Sequence, residues 1–200
     1  MAEPSAYAVT LRLDPETTQM IVDARKALLQ QEDLSHLTAP PHILLKGPFR
    51  ACVPCGALIQ RLELGMLDFD PVSLHLGDLR WLNGTQLHWD ATRNADGEQN
   101  FELMHLKTQL WMVSSSLVSI HCEFSPSEPF SFRTINPWQP GISLVRRRTP
   151  PTEEYLLPLQ PREARGQVLE LFRMQMQGSW VISWQHVASF AGRHAAQVRT

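Results

Sequence analysis

The chain has 200 residues, 43% of them hydrophobic and 19% charged, which is the balance of a globular protein and not of a disordered one. Eighteen Lys and Arg against twenty Asp and Glu leave a formal charge of −2, so no overall basic field exists to gather nucleic acid or anionic membrane, and any nucleotide must be held by a local pocket. No apolar run approaches the roughly 18 residues of a membrane span, the opening MAEPSAY lacks the charged and apolar regions of a secretory signal, and three cysteines are too few for a disulfide framework; a cytoplasmic protein without membrane contact is expected.

In chain order, Tyr7 to Leu13 alternates, with Tyr7, Val9, Leu11 and Leu13 on one face, and reads as a strand. Asp14-Pro15 then starts a helix, Asp as N-cap and Pro at the first helical position, with Met20, Ile21, Ala24 and Leu28 at helical spacing. Ala39 to Pro48 (APPHILLKGP) is a short extended run, and Ala57 to Met66 an amphipathic helix. Between Val72 and Ala91, Asn83-Gly84 separates two alternating runs and predicts a two-residue hairpin, pairing Leu82 with Thr85, Trp81 with Gln86 and Leu79 with His88. Its apolar face then carries Val72, Leu74, Leu76, Leu87 and Trp89, and its polar face Ser73, His75, Leu79, Trp81, Gln86, His88 and Asp90. A helix is expected over Phe101 to Val113, with Phe101, Met104, Leu110 and Trp111 inward, then a Pro- and Ser-rich connection from Ser125 to Pro140. A short strand follows from Ile142 to Val145, a helix from Arg162 to Met176 and a final strand from Trp180 to Phe190. Each half has similar grammar, which suggests an α+β fold: one bilobal domain over residues 1–200, its two sheet-bearing lobes facing each other.

Two short strands carry the lead. PPHILLKGPF (Pro40 to Phe49) and WQPGISLVR (Trp138 to Arg146) share Pro-X-Ile-X-Leu and lie about half a chain apart. This resembles the 2H phosphoesterase superfamily, the 2′-5′ RNA ligase-like proteins and 2′,3′-cyclic phosphodiesterases, which carry two His-X-Thr/Ser strands. YAVTLRLDPET, the Gly-Pro-Phe after the first strand, LHLGDLRWLNGTQLHW, FELMHLKTQL and SWVISWQHVASF extend the likeness over nearly the whole chain. The resemblance implies two pseudo-symmetric lobes whose antiparallel sheets face a central cleft, with helices outside. Residues i and i+2 of a strand share a face, so each motif sends an imidazole and a hydroxyl into the cleft. In such a family one His takes a proton from the nucleophile and the other protonates the leaving oxygen. The hydroxyls hold the phosphate oxygens, and no metal or other cofactor is required.

Half of that device is present. His42 is followed by Leu44 in place of Thr or Ser, and Ser143 is preceded by Gly141 in place of His. Loss of a general acid or base costs about 10²- to 10⁴-fold in rate, and an unpaired buried phosphate oxygen about 1–3 kcal/mol. The pattern fits a degenerate member better than an active one. His42 and Ser143 are the surviving family positions. Leu44 and Gly141 line the expected ligand site, Gly141 either for a close backbone approach or to widen the cleft.

Of His75, His88 and His121, His88 is best placed to stand in for the absent imidazole, although a strand His ordinarily bonds backbone or water. Tyr7, Trp81 and Trp138 are candidate base-stacking aromatics; with six Trp in the chain most fill the core, and Trp81 stands out for its polar face. Arg146 or Arg148 is a candidate phosphate contact in a run that is usually solvated. Cys52-Val-Pro-Cys55 lacks the βαβ context of a redox motif, and for a metal site only Cys122 and His121 remain, so neither function is expected. The reading is a protein that binds a nucleotide, a cyclic phosphate or an RNA end in its cleft with impaired hydrolysis. The alternatives are an active cyclic phosphodiesterase using His42 with a recruited second group, and a protein-interaction module with an abandoned cleft.

Overall fold

The computed structural model describes residues 6–30, 34–35, 39–67, 69–82, 84–118, 138–147, 159–177 and 180–192. Strand β1 (Ala6–Leu13) is followed by helix α1 (Pro15–Leu28), whose start obeys the sequence rule: the Asp14 carboxylate accepts from the Thr17 backbone N–H at 2.8 Å and Pro15 opens the helix. Then come β2 (Leu34–Ser35), β3 (Ile43–Arg50), α2 (Cys55–Met66), β4 (Val72–Leu76), β5 (Leu79–Leu82) and β6 (Gln86–Asp90). Helix α3 (Phe101–Ser114), β7 (Gly141–Arg147), β8 (Arg162–Gln177) and β9 (Trp180–Ala191) complete the order.

Two antiparallel sheets form the α+β fold that the sequence implied. In the first, β3, β1 and β8 lie side by side, and β4 and β9 share the far edge of β8, one beyond the other. In the second the order is β2-β7-β6-β5. Tyr7, Val9, Leu11, Leu169 and Leu171 turn one face of the first sheet into the main core, where Leu58 and Leu62 of α2 and Leu103, Leu106 and Leu110 of α3 are buried. Helix α1 packs on β1 and reaches β7, bridging the two sheets. Among the described residues no helix is long and apolar enough to cross a membrane.

Several expectations are corrected. Residues Arg162 to Met176 lie in β8 and not in a helix. This strand is paired along both edges, and Val168, Leu169, Leu171, Phe172 and Met174 are buried on both of its faces, so it reads as a near-continuous apolar run that helix-favouring residues disguise. The sheets do not follow the two halves of the chain: the first joins β1, β3 and β4 to β8 and β9, and the second joins β2, β5 and β6 to β7. The stretch from Val72 to Asp90 is not one hairpin, because β4 pairs with β8 in the first sheet while β5 and β6 pair in the second. Within β5–β6, Leu82 pairs with Gln86 and Trp81 with Leu87, one residue out of the expected register, since three residues and not two separate the strands. In α3, Leu103, Leu106 and Leu110 face inward while Phe101 is exposed. The connection over 119–137 lies outside the described residues.

Candidate functional site

A cavity of about 320 Å³ lies between the two sheets. The first sheet contributes His42 and Leu44 at the head of β3, and Val181 and Trp184 of β9. The second contributes Leu82, Gln86 and His88 of β5–β6, and Gly141, Ser143 and Arg146 of β7. Arg25 enters from α1, and Trp138 from the segment before β7. The two short strands singled out in the sequence therefore meet at one site, His42 on one wall and Gly141 and Ser143 on the other.

His42 Nδ1 lies 2.6 Å from the Pro40 carbonyl. A carbonyl only accepts, so Nδ1 carries the proton and Nε2 presents its lone pair. The ring stands 5.1 Å from that of Trp184. Burial, with the nearby Arg25 charge adding to it against the Pro40 carbonyl, pulls the His42 pKa down to about 4. Around neutral pH His42 is a neutral acceptor. Leu44, two residues on, is 37% exposed and offers the cavity a methyl surface where the motif would place a hydroxyl. Its carbonyl is held by the Trp138 indole N–H at 3.0 Å, and the Lys107 ammonium lies 4.2 Å from the Trp138 ring.

On the opposite wall the Gln86 amide N–H donates to the Ser143 hydroxyl. Arg25 is 9% exposed and donates from Nη1 to the Ala39 carbonyl (2.7 Å) and from Nη2 to the Ser143 carbonyl (2.6 Å), tying the loop before β3 to β7. Among the described residues no carboxylate pairs with it and none lines the cavity, and burial draws its pKa down to about 10.

His88 is 4% exposed, sits opposite Ser143 across the β6–β7 pair, and has both ring nitrogens closed off from solvent. Burial lowers its pKa, countered by hydrogen bonding to the Pro140 backbone, by the Asp90 carboxylate and by the Gln139 backbone, with the Arg80 charge adding to the fall. Gly141 answers the question left open by the sequence in favour of close approach. At φ +157° a β-carbon there would lie 2.8 Å from His88 Cδ2 and nearer still to His88 Nε2 and the Trp89 carbonyl oxygen.

Other proposed residues fall elsewhere. Tyr7 is buried under the helices, its ring 6.1 Å from that of Phe49 and 6.0 Å from the Arg173 guanidinium, on the face of β1 away from the cavity. Trp81 pairs with Leu87 on the core face and does not line the cavity, because the one-residue slip puts alternate side chains on opposite faces. Arg146 stands exposed at the rim. His75 bonds Glu163 at 2.8 Å outside the cavity. Cys52 is exposed, with Sγ donating to the Ser116 carbonyl at 3.5 Å, and Cys55 is a free thiol at the start of α2. His121, Cys122 and Arg148 lie outside the described residues.

Sequence reading missed Arg25, Trp184 and the bond that Gln86 makes. Arg25 left a signal: it shares the helical stripe of Ile21 and Leu28, an apolar face where a guanidinium needs a reason. Trp184 left none, since its place depends on which face of β9 meets the second sheet.

Neither a family model nor a curated protein sequence matches the chain. Solved structures do. TT0787 of Thermus thermophilus superposes with a TM-score of 0.67 at 15% identity, covering 94% of this chain and all of its own. Escherichia coli LigT complexed with 3′-AMP gives 0.63 at 16% identity over 96% of this chain and 99% of LigT. A phosphoesterase gives 0.62 at 17% identity over 95% of this chain and 99% of its own. LigT has also been solved with NADP+, with phosphate and with ATP. The chain has the fold of these proteins, which is the fold that the two short strands led us to expect.

Proposed function

We propose that the cavity binds the phosphate of a nucleotide, a 2′,3′-cyclic phosphate or an RNA end, and that it turns such an ester over slowly at neutral pH. The observation that carries this reading is the Arg25 guanidinium, buried in a cavity where, among the described residues, no carboxylate pairs with it and no acid lines the wall. A buried cation left uncompensated is costly, and an anionic ligand is the group that would offset it. That LigT, of the same fold, holds 3′-AMP, phosphate, NADP+ and ATP supports a phosphate-bearing ligand.

The chemistry of the lining explains why turnover would be weak. His42 Nε2 is set to take a proton from water, and Ser143 to hold a phosphate oxygen. Neither described imidazole of the cavity serves as an acid for the leaving oxygen near neutrality, because burial lowers the pKa of both. Leu44 leaves one phosphate oxygen without its donor. Isothermal titration at low salt with 2′,3′-cyclic AMP, 3′-AMP and inorganic phosphate tests this. Saturable binding that weakens with salt is expected, with cyclic-phosphate hydrolysis at pH 7.5 no faster than that of His42→Ala. Absence of binding to all three probes overturns the phosphate reading, and turnover of about 1 s⁻¹ that vanishes in His42→Ala overturns the slow one.

A further inference from the structure

We infer that Gln86 is a positioning residue of the cavity: its side-chain amide occupies the acceptor side of the Ser143 hydroxyl and so turns the hydroxyl's proton towards an oxygen of the bound phosphate. This rests on the phosphate reading of the same cavity and adds to it a residue of β6 that neither strand motif contains.

The bond crosses between neighbouring strands, and a bulge makes it possible. In a regular β7, Gly141, Ser143 and Val145 would share one face. Instead Ile142, Leu144 and Val145 are buried in the core, while Gly141, Ser143 and Arg146 line the cavity. The register explains this: Gln86 pairs with Arg146, Leu87 with Val145 and His88 with Ser143, so β7 carries one residue more than β6 at this point and Arg146 turns to the side of Ser143. Gln86, opposite Arg146, is thereby brought within reach of Ser143, and its amide N–H donates to the hydroxyl.

A serine hydroxyl has one proton to give and lone pairs to receive with, so one that receives from Gln86 gives its proton elsewhere. Among the described residues no group takes that proton. The other bond to Ser143 runs from Arg25 Nη2 to its backbone carbonyl, which holds the residue from a second direction. Ser143 and Gln86 are both half-buried on the cavity wall, so the hydroxyl has the cavity before it. With Leu44 at the first motif, Ser143 is the only hydroxyl among the described lining residues. Its direction therefore decides whether a phosphate oxygen meets a donor or a lone pair, and a donor aimed in advance needs no reorganisation when the ligand arrives.

The test is a double-mutant cycle on the whole chain, with inorganic phosphate and 2′,3′-cyclic AMP titrated calorimetrically into the parent, Gln86→Met, Ser143→Ala and the double variant. Methionine keeps the length of glutamine and removes its N–H. Ser143→Ala should raise the dissociation constant about tenfold or more, and Gln86→Met about three- to tenfold. Adding Gln86→Met to Ser143→Ala should then change nothing further, because the amide acts only through the hydroxyl. Equal weakening by Gln86→Met in both backgrounds overturns the inference, since the amide would then act on the ligand or the fold directly. An unchanged affinity in Gln86→Met overturns it as well, and both outcomes leave the phosphate reading intact. If Gln86→Met fails to fold, the side-chain amide resonance of Gln86 in the isotope-labelled parent decides. Phosphate should move that proton downfield, as a hydroxyl that donates to an anion becomes a stronger acceptor, and a stationary signal overturns the inference. If neither probe binds the parent, the phosphate reading itself is overturned and this inference with it.

Discussion

Replacing Gly141 by alanine is the sharpest single perturbation of this cavity. The added carbon would lie 2.8 Å from His88 Cδ2 and closer still to the carbonyl oxygen of Trp89. The ring has little room to yield, since His88 is 4% exposed, and the backbone has less, since Trp89 is fully buried with its indole N–H donating to the Gly77 carbonyl at 2.8 Å. Overpacking costs about 1–3 kcal/mol, and holding a side chain at φ +157° adds a strain of about 1–3 kcal/mol. A loss of about 2–6 kcal/mol follows, which for a chain of this size lowers the melting temperature by roughly 5–20 °C. Urea unfolding of the two proteins, read at matched slope, measures it. A variant within about 0.5 kcal/mol of the parent, inside the range of ordinary surface changes, would refute the close approach. Adding His88→Ala should return only part of the loss, because the Trp89 carbonyl remains. The same geometry predicts that Leu44→Thr with Gly141→His does not rebuild a His-X-Ser strand on β7, since the imidazole would leave a backbone that already faces its neighbour.

Leu44→Thr alone places a hydroxyl on an exposed cavity position and should tighten binding of inorganic phosphate roughly tenfold, the worth of one hydrogen bond to a charged group; calorimetry showing no gain would mean the ligand's oxygens lie elsewhere. Arg25→Met should weaken binding of 2′,3′-cyclic AMP at least about tenfold and flatten its dependence on salt, and an unchanged affinity would remove Arg25 as the anion's partner. His42 titrates near 4 in the fold against 6.5 when free, so the unfolded chain binds more protons between those values. Stability is therefore fully present above about pH 6.5 and falls by roughly 3 kcal/mol as pH drops towards 4. His42→Asn should lose that slope in urea unfolding at pH 7, 5.5 and 4.5, whereas parallel profiles would show the ring to be solvated.

Local rules reached most of the fold because most of it is locally determined. The Asp14 cap, the alternation of β1 and the stripes of α2 each follow from a few neighbouring residues, and each was legible. What was not legible depended on partners far away in sequence. Strand β8 contains Glu, Leu, Arg, Met and Gln in helix-like measure; only pairing with β1 on one edge and with β4 and β9 on the other makes it a strand, and β1 and β4 lie far before it in the chain. The assignment of β4 to one sheet and β5–β6 to the other is likewise decided at Gly77 and Asp78, where the backbone bonds to Asp90 and turns away from a straight hairpin.

The same division runs through the site. His42, Leu44, Gly141 and Ser143 were legible as a set because the period of a strand binds i to i+2, and a cavity now joins them. The relation between Gly141 and His88 was not, because it crosses from one strand to another and hangs on register. With two residues in the hairpin, Trp81 would share a face with His88; with three, Trp81 turns to the core. Sterics then couple positions 88 and 141: either a side chain grows from β7 or the imidazole of β6 fills that volume, and both together do not fit. Read strand by strand, glycine at 141 is the loss of a proton-transfer group. Read across the sheet, it is the condition for the His88 imidazole to fill the same wall from the neighbouring strand, so that the volume beside Trp89 holds the ring of β6 and no side chain of β7.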